Sequence, residues 1–157
     1  MTDKQPAQSG TDLVLAALGA ELEFRFVTVR EVVKIHDESV KRFGGIEGVR
    51  DCALLESAVA RQLQTATYES RNLADIAASL AFGLCNNHAF MDGNKRTAYQ
   101  SMLTFLNRNE KSVDVEPVES YNLFIGIASG TVNTSDLSVW LSENMTDNPQ
   151  PKNRSRP

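Results

Sequence analysis

His88-Ala89-Phe90-Met91-Asp92-Gly93-Asn94-Lys95-Arg96 is the most chemically loaded stretch of the chain, and the segments on either side of it set the fold. Before it, Leu73, Ile76, Ala77, Leu80, Ala81 and Leu84 recur at helical spacing, with Ala78, Phe82 and Cys85 on the remaining sides. A helix that is apolar nearly all round is buried at the centre of a domain. Asn86 and Asn87 suit its C-terminal cap. After the stretch, Ala98, Met102, Phe105 and Leu106 form the inward stripe of a second helix over residues 95–108. The pattern therefore reads as a buried central helix, a short polar loop, and a second helix whose N-terminus opens onto that loop.

The first turn of a helix has unpaired N–H groups and the positive end of the macrodipole, so Gly93, Asn94, Lys95 and Arg96 form a candidate anion cradle. Taken singly, each residue is ordinary. A lone loop histidine such as His88 is more often a bonded polar residue than a base, and Asp92 before Gly-Asn is a turn signal. Lys95 and Arg96, however, face the positive end of the dipole with no acidic residue beside them inside the helix. That arrangement calls for an anion from outside.

The rest of the composition narrows the class. At 157 residues the chain is long enough for one domain with a real core. An apolar fraction of 41% and a charged fraction of 23% are those of a globular protein. A net charge of -4 argues against a general nucleic-acid binder. No apolar run reaches the length of a membrane span, and the start lacks the basic-then-apolar order of a signal peptide. Cys52 and Cys85 lack metal-type spacing and read as reduced thiols, and two histidines give no structural zinc site. A cytoplasmic protein is expected.

Along the chain, residues 1–10 read as a flexible tail and residues 11–20 as a short helix without an evident role. Residues 23–27 alternate loosely, as a short strand would. Thr28 and Glu31 form a capping box for a helix through Phe43, which stops at Gly44-Gly45. His36 lies on or beside that helix's apolar face, where a buried histidine bonded to a neighbour is the ordinary outcome. Residues 44–50 are a glycine-rich turn without phosphate-loop spacing. Asp51 caps a helix to about Leu63, and residues 64–72 read as a loop. Residues 113–115 are extended, Pro117 opens a helix ending before Gly130, and Thr134 or Ser135 caps a last one. The expected organisation is an N-terminal extension (1–22), an all-α domain of six or seven helices (23–144), and a disordered tail (145–157).

The loop closely resembles the signature of the Fic/Doc superfamily, His-x-Phe-x-(Asp/Glu)-Gly-Asn-x-Arg, with His88, Phe90, Asp92, Gly93, Asn94 and Arg96 at every fixed position. The likeness continues in residues 44–51, 54–58 and 128–130. Fic-type adenylyl transferases usually carry Gly where this chain has Lys95, and a second Arg where it has Tyr99. Lys95-Arg96-Thr97-Ala98 is similar to the Doc, "death on curing", branch of toxins.

The resemblance implies a helical domain with a short flap, which the family order places at residues 64–72. It implies transfer of a phosphorus group from ATP to a protein hydroxyl. His88 would be the base and Asp92 would hold Mg²⁺, while Gly93, Asn94, Lys95 and Arg96 would bind the phosphates and Phe90 would anchor the loop. In the Doc branch the group is the γ-phosphate, the target is translation elongation factor Tu, and the partner is a Phd-like antitoxin. AMP transfer is the alternative reaction. A non-catalytic nucleotide-binding helical module is the alternative class, and the complete base–carboxylate–cation set argues against it. No copy of the inhibitory Ser/Thr-x-x-x-Glu-Gly/Asn helix is found, so inhibition is expected from another chain.

Overall fold

The computed structural model describes residues 9–148. Among them are seven α-helices: α1 Gly10–Leu22, α2 Val29–Phe43, α3 Cys52–Gln64, α4 Leu73–Asn86, α5 Asn94–Arg108, α6 Pro117–Ser129 and α7 Thr134–Asn144. A π-helical turn, Thr65–Glu69, and two short strands, β1 Lys111–Val113 and β2 Met145–Asp147, complete the described elements. The protein is all-α in architecture, and no described helix is long and apolar enough to cross a membrane.

The organising element is α4. Ala74, Ile76, Ala77, Ala78, Leu80, Ala81, Leu84 and Cys85 are all buried, so the helix meets neighbours on every side. Its many alanines let those neighbours come close. Gly83 shows how close: a Cβ there would lie 2.8 Å from Arg61 Cδ and 3.2 Å from Ala58 Cα of α3. α5 packs along α4 through Ala98, Met102, Phe105 and Leu106, and α7 adds Leu137 and Leu141. The helix stops at Asn86, Asn87 caps it, and the functional loop follows at once.

Several expectations need correction. Residues 23–27 make no strand. The Gln62 side chain takes the place of a strand neighbour: its Oε1 accepts from Val27 N–H at 2.9 Å and its Nε2 donates to Val27 O at 2.9 Å. Residues 64–72 are not a plain loop, because Thr65–Glu69 forms a π-helical turn continuing α3. The last helix is capped by Asn133, whose side chain accepts from Asp136 N–H, rather than by Thr134 or Ser135. Residues 145–157 are not a tail throughout: Met145–Asp147 pairs antiparallel with Lys111–Val113, Val113 opposite Met145. The remainder of that expected tail from 149 on, like residues 1–8, lies outside the described residues.

The N-terminal segment has a structural role that its sequence did not suggest. Asp12 is buried, and its carboxylate accepts from Val29 N–H at 2.7 Å and Arg30 N–H at 3.3 Å. α1 thus caps the start of α2 from outside, beside the Thr28–Glu31 capping box.

Candidate functional site

His88 is the second residue past α4 and takes a left-handed conformation, φ 52°. Its imidazole is exposed, and its carbonyl accepts from Arg50 Nε at 2.8 Å. The next carbonyl, of Ala89, accepts from Arg50 and Asp51 N–H at 2.7 and 3.1 Å, and Met91 N–H donates to Gly48 O at 3.1 Å. Phe90 bridges Val49 in antiparallel fashion. The segment lying along the loop is therefore residues 46–51. Residues 64–72, the expected flap, sit before the other end of α4, about 20 Å away by the rise of a fourteen-residue helix. The strand-like pairing explains this: a loop with free N–H and C=O groups takes the nearest extended partner, and residues 46–50 follow α2 directly onto it.

Inside the loop the side chains divide their tasks. Phe90 is 2% exposed and faces the core. Asn94 closes the turn on it, with Oδ1 accepting from Phe90 N–H and Nδ2 donating to Phe90 O, both at 3.1 Å. That side chain is thus engaged within the loop, and only the main chain of Asn94 is open to a ligand. Gly93, φ 75°, occupies the N-cap of α5. A Cβ there would meet His36 at an ordinary 3.7 Å, so the glycine is required by its backbone angle and not by space.

Asp92 is exposed, with Oδ1 accepting from Gly93 N–H at 2.8 Å and Oδ2 from Ile46 N–H at 3.2 Å. Each oxygen keeps lone-pair capacity toward solvent. The donor set thus fits a magnesium ion of the kind held by one carboxylate, with substrate phosphates and water supplying the rest. The described residues contain no group of three or more His, Cys, Asp and Glu able to hold a metal unaided.

The N–H groups of Asn94, Lys95 and Arg96 have no acceptor among the described residues; the first paired amide of α5 is Thr97, which donates to Gly93 O. They point from a helix N-terminus, where an anion is stabilised. Residues 92–96 and Tyr99 line one side of a cleft of about 550 Å³, and Val115, Pro117, Ser120, Tyr121 and Phe124 line the other. His88 and Phe90 do not line it. Lys95 is exposed without a carboxylate partner among the described residues, and its charge offsets part of the burial that pushes the Cys85 thiol up. Arg96 leans toward α2, donating to Ser39 Oγ at 3.4 Å with its guanidinium 4.8 Å from the Phe43 ring centre. Tyr99, in place of a second arginine, accepts from Ser120 Oγ at 3.3 Å.

Sequence reasoning gave no site role to Arg50 and Ile46, and it read His36 only as a buried histidine bonded to a neighbour. Arg50 and Ile46 act through loop pairing, which has no local sequence signature. His36 is 1% exposed, with Nε2 2.7 Å from Asp92 O and its ring stacked on Phe90. Its polar character on a buried face was the signal available.

The Fic/DOC family matches residues 26–106, which is more than half of the chain. Protein kinase doc of Escherichia phage P1 is 33% identical over 115 residues, covering 73% of this chain and 90% of the relative. Toxin Doc of Mycolicibacterium smegmatis (strain ATCC 700084 / mc(2)155) is 48% identical over 69 residues, 43% of this chain and 53% of that protein. A loop pinned at the end of a buried helix, the matched family and relatives that are both Doc proteins lead to one conclusion: this chain belongs to the Fic/Doc family, in its Doc branch.

Proposed function

We propose that the protein is a Doc-like toxin that transfers the γ-phosphate of ATP to a hydroxyl of a protein, with elongation factor Tu as the family-implied target. The observation that carries this reading is the start of α5: three unpaired N–H groups, Lys95 and Arg96 share a cleft with the Asp92 carboxylate, next to an exposed His88. The N–H groups and the two cations bind the phosphates and neutralise charge as the transition state spreads it. Asp92 would hold Mg²⁺, which when bound shields the phosphate oxygens from the incoming nucleophile. His88 takes the proton from the attacking hydroxyl as its oxygen bonds to the γ-phosphorus and the bond to the bridging oxygen breaks, releasing ADP. The relatives named protein kinase doc and toxin Doc support both the reaction and the toxic outcome. A Phd-like antitoxin is the expected cytoplasmic partner, folding on the toxin as it binds.

Incubation with elongation factor Tu, Mg²⁺ and ATP labelled at the γ- or α-phosphate tests the reading. The γ-label alone should pass to the target. His88→Ala should lower the rate roughly a hundredfold or more and abolish growth arrest on expression without antitoxin. Transfer of α-label would make the protein an AMP transferase. Nucleotide binding without transfer to any protein would make it a binding module.

A further inference from the structure

His36 is a buried histidine that the transfer chemistry does not consume. It sits midway along α2, 56 residues from Asp92 in sequence, yet its hydrogen bond and its ring stacking both fall on the loop. The ring stacks on Phe90 with centroids 3.9 Å apart and planes 9° from parallel. Nε2 lies 2.7 Å from Asp92 O. A carbonyl oxygen can only accept, so Nε2 carries the hydrogen and donates it. Asp37 Oδ1, 3.9 Å from Nδ1, is beyond hydrogen-bonding reach.

A residue serving only to fill the core would be apolar, because an imidazole buried without a partner is costly. Here the single strong bond goes to the main chain of Asp92, where the loop turns into α5. From that peptide the Asp92 carboxylate departs on one side and the Gly93 turn on the other. The stacked ring has few torsions to lose, so the bond acts as a stiff strut.

We propose that His36 is a positioning residue: by holding the Asp92 carbonyl it sets the direction of the Asp92 carboxylate and of the first turn of α5. This rests on the phosphoryl-transfer reading above for its kinetic consequence, but not for its structural one.

Two variants separate the bond from the packing. His36→Phe keeps a ring against Phe90 and cannot donate. His36→Gln gives up the ring but carries an N–H donor the same number of bonds from the backbone. In the full chain, His36→Phe should reduce kcat for γ-phosphate transfer roughly ten- to a hundredfold while KM for ATP changes by less than about threefold, as expected of a displaced but intact site. His36→Gln should recover most of that loss. Amide hydrogen exchange without nucleotide gives a second readout. His36→Phe should speed exchange at Phe90, Met91 and Thr97 and leave the amides of α4 unchanged, and His36→Gln should restore protection.

Wild-type kcat in His36→Phe would overturn the proposal. So would a His36→Gln variant no better than His36→Phe, exchange raised as much in α4 as in the loop, or outright unfolding of His36→Phe, which would make His36 a core residue. If the wild-type protein moves no label at all, the phosphoryl-transfer reading fails and the exchange measurements alone decide the role of His36.

Discussion

Asn94 is where the loop's chemistry and its architecture part company. Its main chain opens the first turn of α5, while its side chain is tied to both polar groups of the Phe90 backbone. Phe90 is buried, so neither group can turn to bulk water when that partner is removed. Asn94→Ala should therefore cost about 2 kcal/mol, two net hydrogen bonds plus part of a desolvation penalty. Urea denaturation checks this; a loss under about 0.5 kcal/mol would mean that the loop closes without the side chain. The sequence placed Asn94 in the turn and in the anion cradle, but it carried no sign of what the side chain itself would bind. A pattern of residue types marks a constrained position without saying whether the constraint is toward substrate or toward the loop itself. His36 fell on the same boundary. Its helical spacing put it on the buried face, and only the packing of α2 against the loop reveals which atom it serves.

Helices were the most legible elements because their signals are local. The apolar surround of α4, the Thr28–Glu31 capping box and Pro117 at the start of α6 are all written within a turn or two of chain. Extended pieces were misread because their partners are remote in sequence. Gln62 stands in for a strand beside Val27, residues 46–51 pair with the loop, and β2 finds β1 across two helices. The fully apolar surround of α4 has a measurable consequence at Cys85. Burial raises this thiol above its ordinary value, against the opposing pull of Lys95. The folded thiol thus keeps its proton to higher pH than the unfolded one. Its stabilising contribution is full below the unfolded value, about 8.5, and is lost as pH rises through the folded value. Between about pH 7 and about pH 10, wild type should lose more stability than Cys85→Ala, measured by urea midpoints at each pH. At neutral pH iodoacetamide should modify the exposed Cys52 in the native protein and reach Cys85 only on unfolding. Equal labelling of both cysteines in the native state would contradict this burial.

At the scale of the whole molecule, the matched family segment, residues 26–106, is smaller than the body that holds the site. α1 lies outside that segment, yet Leu15 is 2% exposed within the common core and the Asp12 carboxylate caps α2, the helix that carries His36. β2 also lies outside it, but its residues are half-buried or exposed, and its ladder spans three residue pairs. Two deletions should therefore differ in cost. Starting the chain at Glu23 removes a fully buried leucine, about 1.5–3 kcal/mol, and a carboxylate bonded to two buried or half-buried N–H groups, about as much again. It should lower stability by roughly 4 kcal/mol. Ending the chain at Asn144 instead of Asn148 removes the half-buried Met145, the three-pair ladder and the surface ion pair of Lys111 with Asp147, which contributes little, and should cost about 1 kcal/mol. Urea denaturation of both shortened chains against the chain ending at Asn148 ranks them directly. The first deletion also frees the N-terminus of α2, so it should loosen the loop at the other end of that helix, seen as faster exchange of the Phe90 and Met91 amides. A chain starting at Glu23 that kept full stability would show that α1 is an appendage, and that the Thr28–Glu31 box, the Arg108–Glu31 ion pair and the core packing of Val29, Val32 and Val33 hold α2 without it.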